Sequence, residues 1–149
     1  MIRPIITSPH NVLRNGTVIV HEFQDAKLRK LVHDMRETMI HADGVGIAAP
    51  QIGSDLRIAI VAAPNEGERV IVNPKITRTS WRRWVMDEGC LSVPGTFGPV
   101  RRPWKITVRY HDTNGALHEE KVGGMLARVF QHEIDHLNGI LFIDKAKKL

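Results

Sequence analysis

Near the carboxyl end of the chain, the stretch "QHEIDHLNG" (131–139) places His132 and His136 four positions apart, with Glu133 directly after the first. On a helix this spacing stacks the two imidazoles on one face, where they can grip one cation. A hydrolytic metal centre needs a third protein ligand and a position left open for water. The residues after His136 include no glutamate and no histidine, so a third ligand has to come from upstream. Cys90 in "DEGCLSVPG" (87–95) is the best candidate, because Gly89 and the Pro94-Gly95 break set its thiol at a strand end or turn. Zinc and ferrous iron both accept one thiolate with two imidazoles, and such a set leaves the fourth position free. Each part also has a plain structural reading: two hydrogen-bonded core histidines, and a buried free thiol.

A third stretch, "GVGIAAPQIG" (44–53), combines small residues with one amide. Gly44, Gly46, Ala48 and Ala49 occupy little room, so a ligand can approach the main chain, and Gln51 offers a side-chain amide near that surface. Taken alone, the segment reads as a loop after a helix, with small residues packing a turn.

Elements must hold these pieces in place. From Asp25, the residues Leu28, Leu31, Val32, Met35 and Met39 recur at helical spacing with charges between them, and "ADG" (42–44) ends this amphipathic helix. Alternating stretches follow at "LRIAIVAA" (56–63), "RVIVNP" (69–74) and "WKITVRYHDTNGALHEEKV" (104–122), the last with a hairpin signal at Asn114-Gly115. The closing helix starts near Gly124, turns Leu126, Val129, Phe130, Ile134 and Leu137 inward, and stops at Gly139 as a left-handed cap. A helix, then strands and hairpins, then a helix predicts an α+β domain with antiparallel strands.

Composition agrees with a single catalytic domain spanning 1–149. At 149 residues the chain can bury most of its apolar surface without cross-links. One cysteine excludes an internal disulfide and suits a reducing compartment. No apolar run has the length of a membrane span, and "MIRPIITSPH" has no signal-peptide pattern, so a cytoplasmic location is expected. The formal charge of +5 reads as solvated surface charge, with no motif for specific nucleic acid and no membrane partner.

The three stretches together resemble the peptide deformylase family. "GVGIAAPQ", "EGCLS" and "QHEIDH" match its signatures Gly-x-Gly-x-Ala-Ala-x-Gln, Glu-Gly-Cys-Leu-Ser and Gln-His-Glu-x-x-His in order. "VLR", "VNPKI", "VRRP" and "DHLNGILFIDK" extend the resemblance from about Pro9 through Asp144. The resemblance implies a metal-dependent hydrolase that removes the formyl group from the formyl-methionine of nascent chains and releases formate. It implies that Cys90, His132 and His136 hold one divalent ion, Fe2+ or Zn2+, with Ni2+ or Co2+ able to substitute. By the same resemblance Glu133 is the general base, and Gln51 with the Leu91 backbone N–H stabilises the oxyanion. Gly46 lies beside the substrate, Arg102 holds the peptide, and Val45, Met125 and Val129 border the methionine side chain. The family fold is likewise α+β, with antiparallel sheets around the helix that carries the histidines.

Three departures accompany these matches. "PHN" (9–11) replaces a frequent Pro-Asp-Pro, and "TSWRRWVMDEGC" (79–90) puts two Trp and two Arg on the strand before the cysteine, which implies an altered peptide-facing rim. The ending "FIDKAKKL" lacks the additional terminal helix of many bacterial members, so the resemblance extends to transient ribosome proximity but not to docking through such a tail. Two alternatives share the metal set: a metallopeptidase that cuts internal bonds, and a metal-binding protein without turnover.

Overall fold

The alternation of side chains along the second strand shows how the layers are built. In the computed structural model residues 1–146 are described, and Lys147, Lys148 and Leu149 at the end of "FIDKAKKL" lie outside them. A helix, α1 (Ala26–His41), is followed by β1 (Gly46–Ala48), β2 (Ile58–Val61), β3 (Arg69–Thr79), β4 (Arg83–Cys90), β5 (Val93–Pro103), β6 (Lys105–His111) and β7 (Leu117–Gly123). Two helices close the described chain, α2 (Gly124–Leu137) and the short α3 (Phe142–Ala146). Five strands form one antiparallel sheet in the order β1-β2-β3-β6-β7, while β4 and β5 form a separate antiparallel pair.

All four residues of β2 are buried. Ile58 and Ile60 pack with Leu28, Val32, Met35 and Met39 of α1, whereas Ala59 and Val61 pack with Ala127, Phe130 and Ile134 of α2. Since neighbouring strand residues point to opposite faces, the two helices cover opposite faces of the sheet at this end. Further along, Ile106, Val108 and Tyr110 of β6 and Val122 of β7 face α2, while the intervening Lys105 and Arg109 are exposed. Burying each such large side chain contributes roughly 1.5–3 kcal/mol, so α2 is anchored along its length.

The stop of α2 is dictated by space as well as by conformation. Gly139 has φ 76°, and a Cβ there would lie 2.6 Å from the carbonyl oxygen of Arg14. The hairpin between β6 and β7 also follows its turn chemistry. Asp112 Oδ1 accepts from the backbone N–H groups of Asn114 and Ala116, and Gly115 takes φ 87°.

Two segments differ from the sequence expectation. "GVGIAAPQIG" does not remain a loop: Gly46–Ala48 pairs with β2 as an edge strand, and Ala49–Ile52 forms a short 3-10 turn. Small residues carry little local strand propensity, and pairing with the buried β2 overrides it. The Pro94-Gly95 break is likewise no end point, because Val93–Pro103 runs as β5 along the whole of β4. A strand paired on one side only tolerates Pro99 and Pro103, since the missing N–H can face outward.

Candidate metal centre and substrate cleft

Helix α2 supplies two imidazoles and a carboxylate, and the end of β4 supplies the thiol. Cys90 is the last residue of β4, where the register against β5 breaks between Gly89↔Phe97 and Cys90↔Val93. Alternation along β4 turns its side chain, like that of Glu88, toward α2: Cys90 Sγ lies 3.2 Å from His136 Nε2. One donor atom from each of Cys90, His132 and His136 lies within 4.8 Å of the others. His132 uses its Nδ1 in a 3.0 Å hydrogen bond with Glu88 Oε1, which leaves Nε2 for the cluster. His136 Nδ1 is buried without a hydrogen-bond partner. Burial, reinforced by the neighbouring His132, holds the His136 imidazole well below its usual range, in the neutral form that a metal ligand requires. Burial lowers His132 too, but its hydrogen bonds to Cys90 and Glu88 outweigh that and push it up to about 10. One soft sulfur and two imidazoles in one tight group fit a divalent transition metal.

Behind the histidines lies a buried charge network that the sequence reading did not assign. Arg102 Nε and Nη2 donate to the two oxygens of Glu88 at 2.6 and 2.8 Å, and Arg128 also donates to Glu88. Burial alone would raise Glu88, yet Arg102 and His132 hold it well below the usual carboxylate range. Its role had a readable sign: residues two apart in a strand share a face, which puts Glu88 on the side of Cys90. Arg128, four residues before His132, likewise shares a face of α2 with it.

Arg102 is not among the residues that line the cleft. Expected to hold peptide, it is 1% exposed, and besides Glu88 it donates to Asp135 Oδ2 at 2.9 Å. A guanidinium engaged by buried Glu88 and half-buried Asp135 has little left for a ligand, so its position suits the support of His132. Glu88→Gln is expected to cost about 3 kcal/mol of stability, because Arg102 and Arg128 would keep their charges in a dry site. Urea unfolding of the metal-free protein reads this, and a loss below about 1 kcal/mol would show that solvent already screens the cluster.

Gln51 is placed by its own backbone neighbour. Its Oε1 accepts from the Ala48 N–H at 2.9 Å, which fixes the amide orientation and leaves Nε2 as the donor side. Nε2 donates to Ser92 Oγ at 3.1 Å and stands 3.7 Å from Cys90 Sγ. Ser92, fully buried, is a further partner that the sequence reading did not assign.

Glu133 is 4% exposed, and its Oε1 has no hydrogen-bond partner. Burial raises its carboxyl to about 7, near the proton-exchange range that general acid–base chemistry uses, despite the opposing effect of His132. Gly46 explains how the carboxylate fits: a Cβ at that position would lie 2.5 Å from Glu133 Oε2 and 2.9 Å from its Cδ. The glycine therefore makes room for Glu133 as well as bordering the cleft.

The cleft, about 480 Å³, is bounded by residues 43–46 on one side and by the β4 edge from Met86 to Cys90 with the following Leu91 on the other. Met125, Val129, His132 and Glu133 of α2 form its floor. Val45, Gly46, Gln51, Leu91, Met125 and Val129 all line it. Val45 and Met125 are 44% and 42% exposed, apolar surface left open beside the donor set.

Comparison with known proteins agrees with this architecture. The sequence model of the family described as Polypeptide deformylase matches residues 2–149. A peptide deformylase of Rhizobium meliloti strain 1021 is 47% identical over 152 residues, covering 99% of this chain and 87% of the relative. Among solved structures, peptide deformylase from Thermotoga maritima superposes with a TM-score of 0.94 at 42% identity, covering 97% of each chain. The Met-Ala-Ser-bound class I type b peptide deformylase from Acinetobacter baumannii gives 0.94 at 36% identity, over 97% of this chain and 98% of that one. No helix among the described residues is long and apolar enough to cross a membrane. With matches of this strength over nearly the whole chain, it belongs to the polypeptide deformylase family and is a metal-dependent hydrolase that removes the N-formyl group from newly made polypeptides.

Proposed function

We propose that the chain hydrolyses the formamide of N-formyl-methionyl peptides, with Cys90, His132 and His136 holding one Fe2+ or Zn2+ ion and Glu133 moving the proton. The observation that carries these roles is a buried carboxylate with an unpartnered oxygen, held near neutrality, next to a Cys-His-His donor set at the floor of an apolar cleft. When bound, the ion supplies Lewis acidity that acidifies water and polarises the formyl carbonyl. Ni2+ or Co2+ would suit the same donors.

Glu133 accepts the proton of the attacking water and then delivers it to the leaving amine, so formate and a free amino terminus depart. As the carbonyl oxygen gains charge, the Gln51 amide and the Leu91 N–H donate to it. A preorganised donor of this kind is worth roughly 3–4 kcal/mol in comparable hydrolases. Gln51 is suited to the task because the Ala48 N–H already fixes its orientation. Val45, Met125 and Val129 receive the methionine side chain, and Gly46 keeps the Glu133 carboxylate beside the reacting carbon. Arg102 acts through Glu88 and Asp135 rather than on the peptide.

This reading goes with a cytoplasmic enzyme, or one in an organelle or phage-infected cell, in transient proximity to ribosomes where formylated chains emerge. One domain over 1–149 carries the whole site. The test is formate release from formyl-Met-Ala-Ser by protein loaded anaerobically with Fe2+ or with Zn2+, beside unformylated Met-Ala-Ser. Formate from the first peptide and no cleavage of the second is the expected result. Internal cleavage would move the assignment to a metallopeptidase.

A further inference from the structure

We propose that Asp87 and Phe97 form a subsite that favours lysine or arginine as the second residue of the formyl peptide, directly after the methionine. The proposal rests on the deformylase reading of the cleft and deepens it.

Strand β4 determines where a substrate must run. It pairs with β5 along one edge, and among the described residues no other strand pairs with it. Its consecutive residues from Met86 to Cys90 line the cleft, as does Leu91 in the turn that follows. An extended peptide entering the cleft can therefore add alongside this edge, with its formyl end at Cys90 and its later residues running back toward Met86. At about 3.3 Å per residue, the second residue lies within side-chain reach of Asp87, three positions before Cys90.

Alternation then assigns faces. The methionine side chain points to the α2 side, toward Met125 and Val129, the same side as buried Glu88. The second residue points the other way, the side on which Asp87 and Gly89 lie. There, Phe97 pairs with Gly89 across the hairpin, and its ring lies so close over the glycine that a Cβ would collide with it. Phe97 is 73% exposed and lines the cleft, as does exposed Asp87.

An aromatic face followed by a carboxylate matches a long cationic side chain. Its methylene stem lies along the ring and its charged head reaches the acid. The charges around the cleft point the same way. Asp87 has no ion-pair partner among the described residues, and Asp43 on the opposite wall adds a second exposed carboxylate. The guanidinium in the lining, Arg128, is buried and committed to Glu88 and to the Val100 and Trp84 carbonyls. A glutamate at the second position would meet repulsion from these carboxylates, and among the described residues the lining offers no Lys or Arg besides the committed Arg128.

The experiment compares kcat/KM for formyl-Met-Lys-Ala, formyl-Met-Gln-Ala and formyl-Met-Glu-Ala by formate release from the metal-loaded enzyme. At low salt the lysine peptide should exceed the glutamate peptide by about tenfold, mainly through KM, with glutamine between them. The ratio should shrink to within about twofold at high ionic strength and in Asp87→Asn, each ratio being read within one enzyme form. Turnover of the glutamine peptide with equal rates for lysine and glutamate would overturn the subsite and leave the deformylase reading standing. A tenfold ratio that persists in Asp87→Asn would overturn the role of Asp87, and no turnover on any of the three would overturn both readings.

Discussion

Cys90→Ala is expected to abolish metal retention and formate release together. In the proposed site three protein donors hold the ion, and affinity is built jointly from deprotonated ligands, so removal of the one thiolate would remove the charge-bearing member of the set. The position has no substitute among the described residues: Cys90, His132 and His136 are the one group whose donor atoms converge within 4.8 Å. The fold should survive, because Cys90 sits at the end of β4 and is only half-buried, and a small residue there still closes the hairpin. Metal analysis by mass spectrometry, beside circular dichroism as a check on folding, reads the outcome. Full occupancy in a folded Cys90→Ala protein would eliminate the thiol as a ligand.

Glu133→Gln should separate binding from chemistry. The amide keeps the shape of the carboxylate against Gly46, and no ligand is lost, so the metal stays bound. What disappears is a group that can take a proton from water and return it to the amine. Such a loss typically costs about 100-fold or more in turnover. The buried position strengthens the expectation, since the Glu133 carboxyl held at about 7 can accept and release protons near physiological pH, whereas an amide cannot. The comparison to make is kcat at saturating formyl-Met-Ala-Ser together with metal content. A variant with normal metal and a kcat within about tenfold of the parent would refute the assigned role.

These two substitutions probe different links of one assembly. Cys90 comes from the β4–β5 hairpin and Glu133 from α2, and the Glu88 network ties them by bonding His132 while accepting from Arg102 and Arg128. Loss of Glu88 should therefore propagate to the ligand geometry as well as to stability.

Much of the site was readable before any fold. His-Glu-x-x-His on an apolar-periodic segment implies two ligands on one helix face, because the 3.6-residue repeat is a local property of the backbone. The ends of α2 were equally local, set by a change of hydrophobic period near Gly124 and by the left-handed glycine at 139. The alternating strands, the hairpin at Asn114-Gly115 and the α+β class follow from patterns within a few residues of each other. The family resemblance, carried by three short motifs, pointed to the activity for the same reason: the reacting groups lie in contiguous stretches.

Arg102 shows what lay beyond such reasoning. Nothing near it in sequence tells that its guanidinium turns away from the cleft, since Glu88 is fourteen positions back and Asp135 thirty-three ahead. Burial of a charge depends on which distant carboxylates the fold brings within reach, and the balance of desolvation against pairing exists only there. The strand at Gly46–Ala48 arose in the same way, from pairing with β2 rather than from its own propensity. The local chain thus chose the donors and the period of the helix that carries them. Packing of the sheet, hairpin and α2 against one another decided their distances and the near-neutral carboxyl of Glu133, because those depend on contacts between residues far apart in the chain.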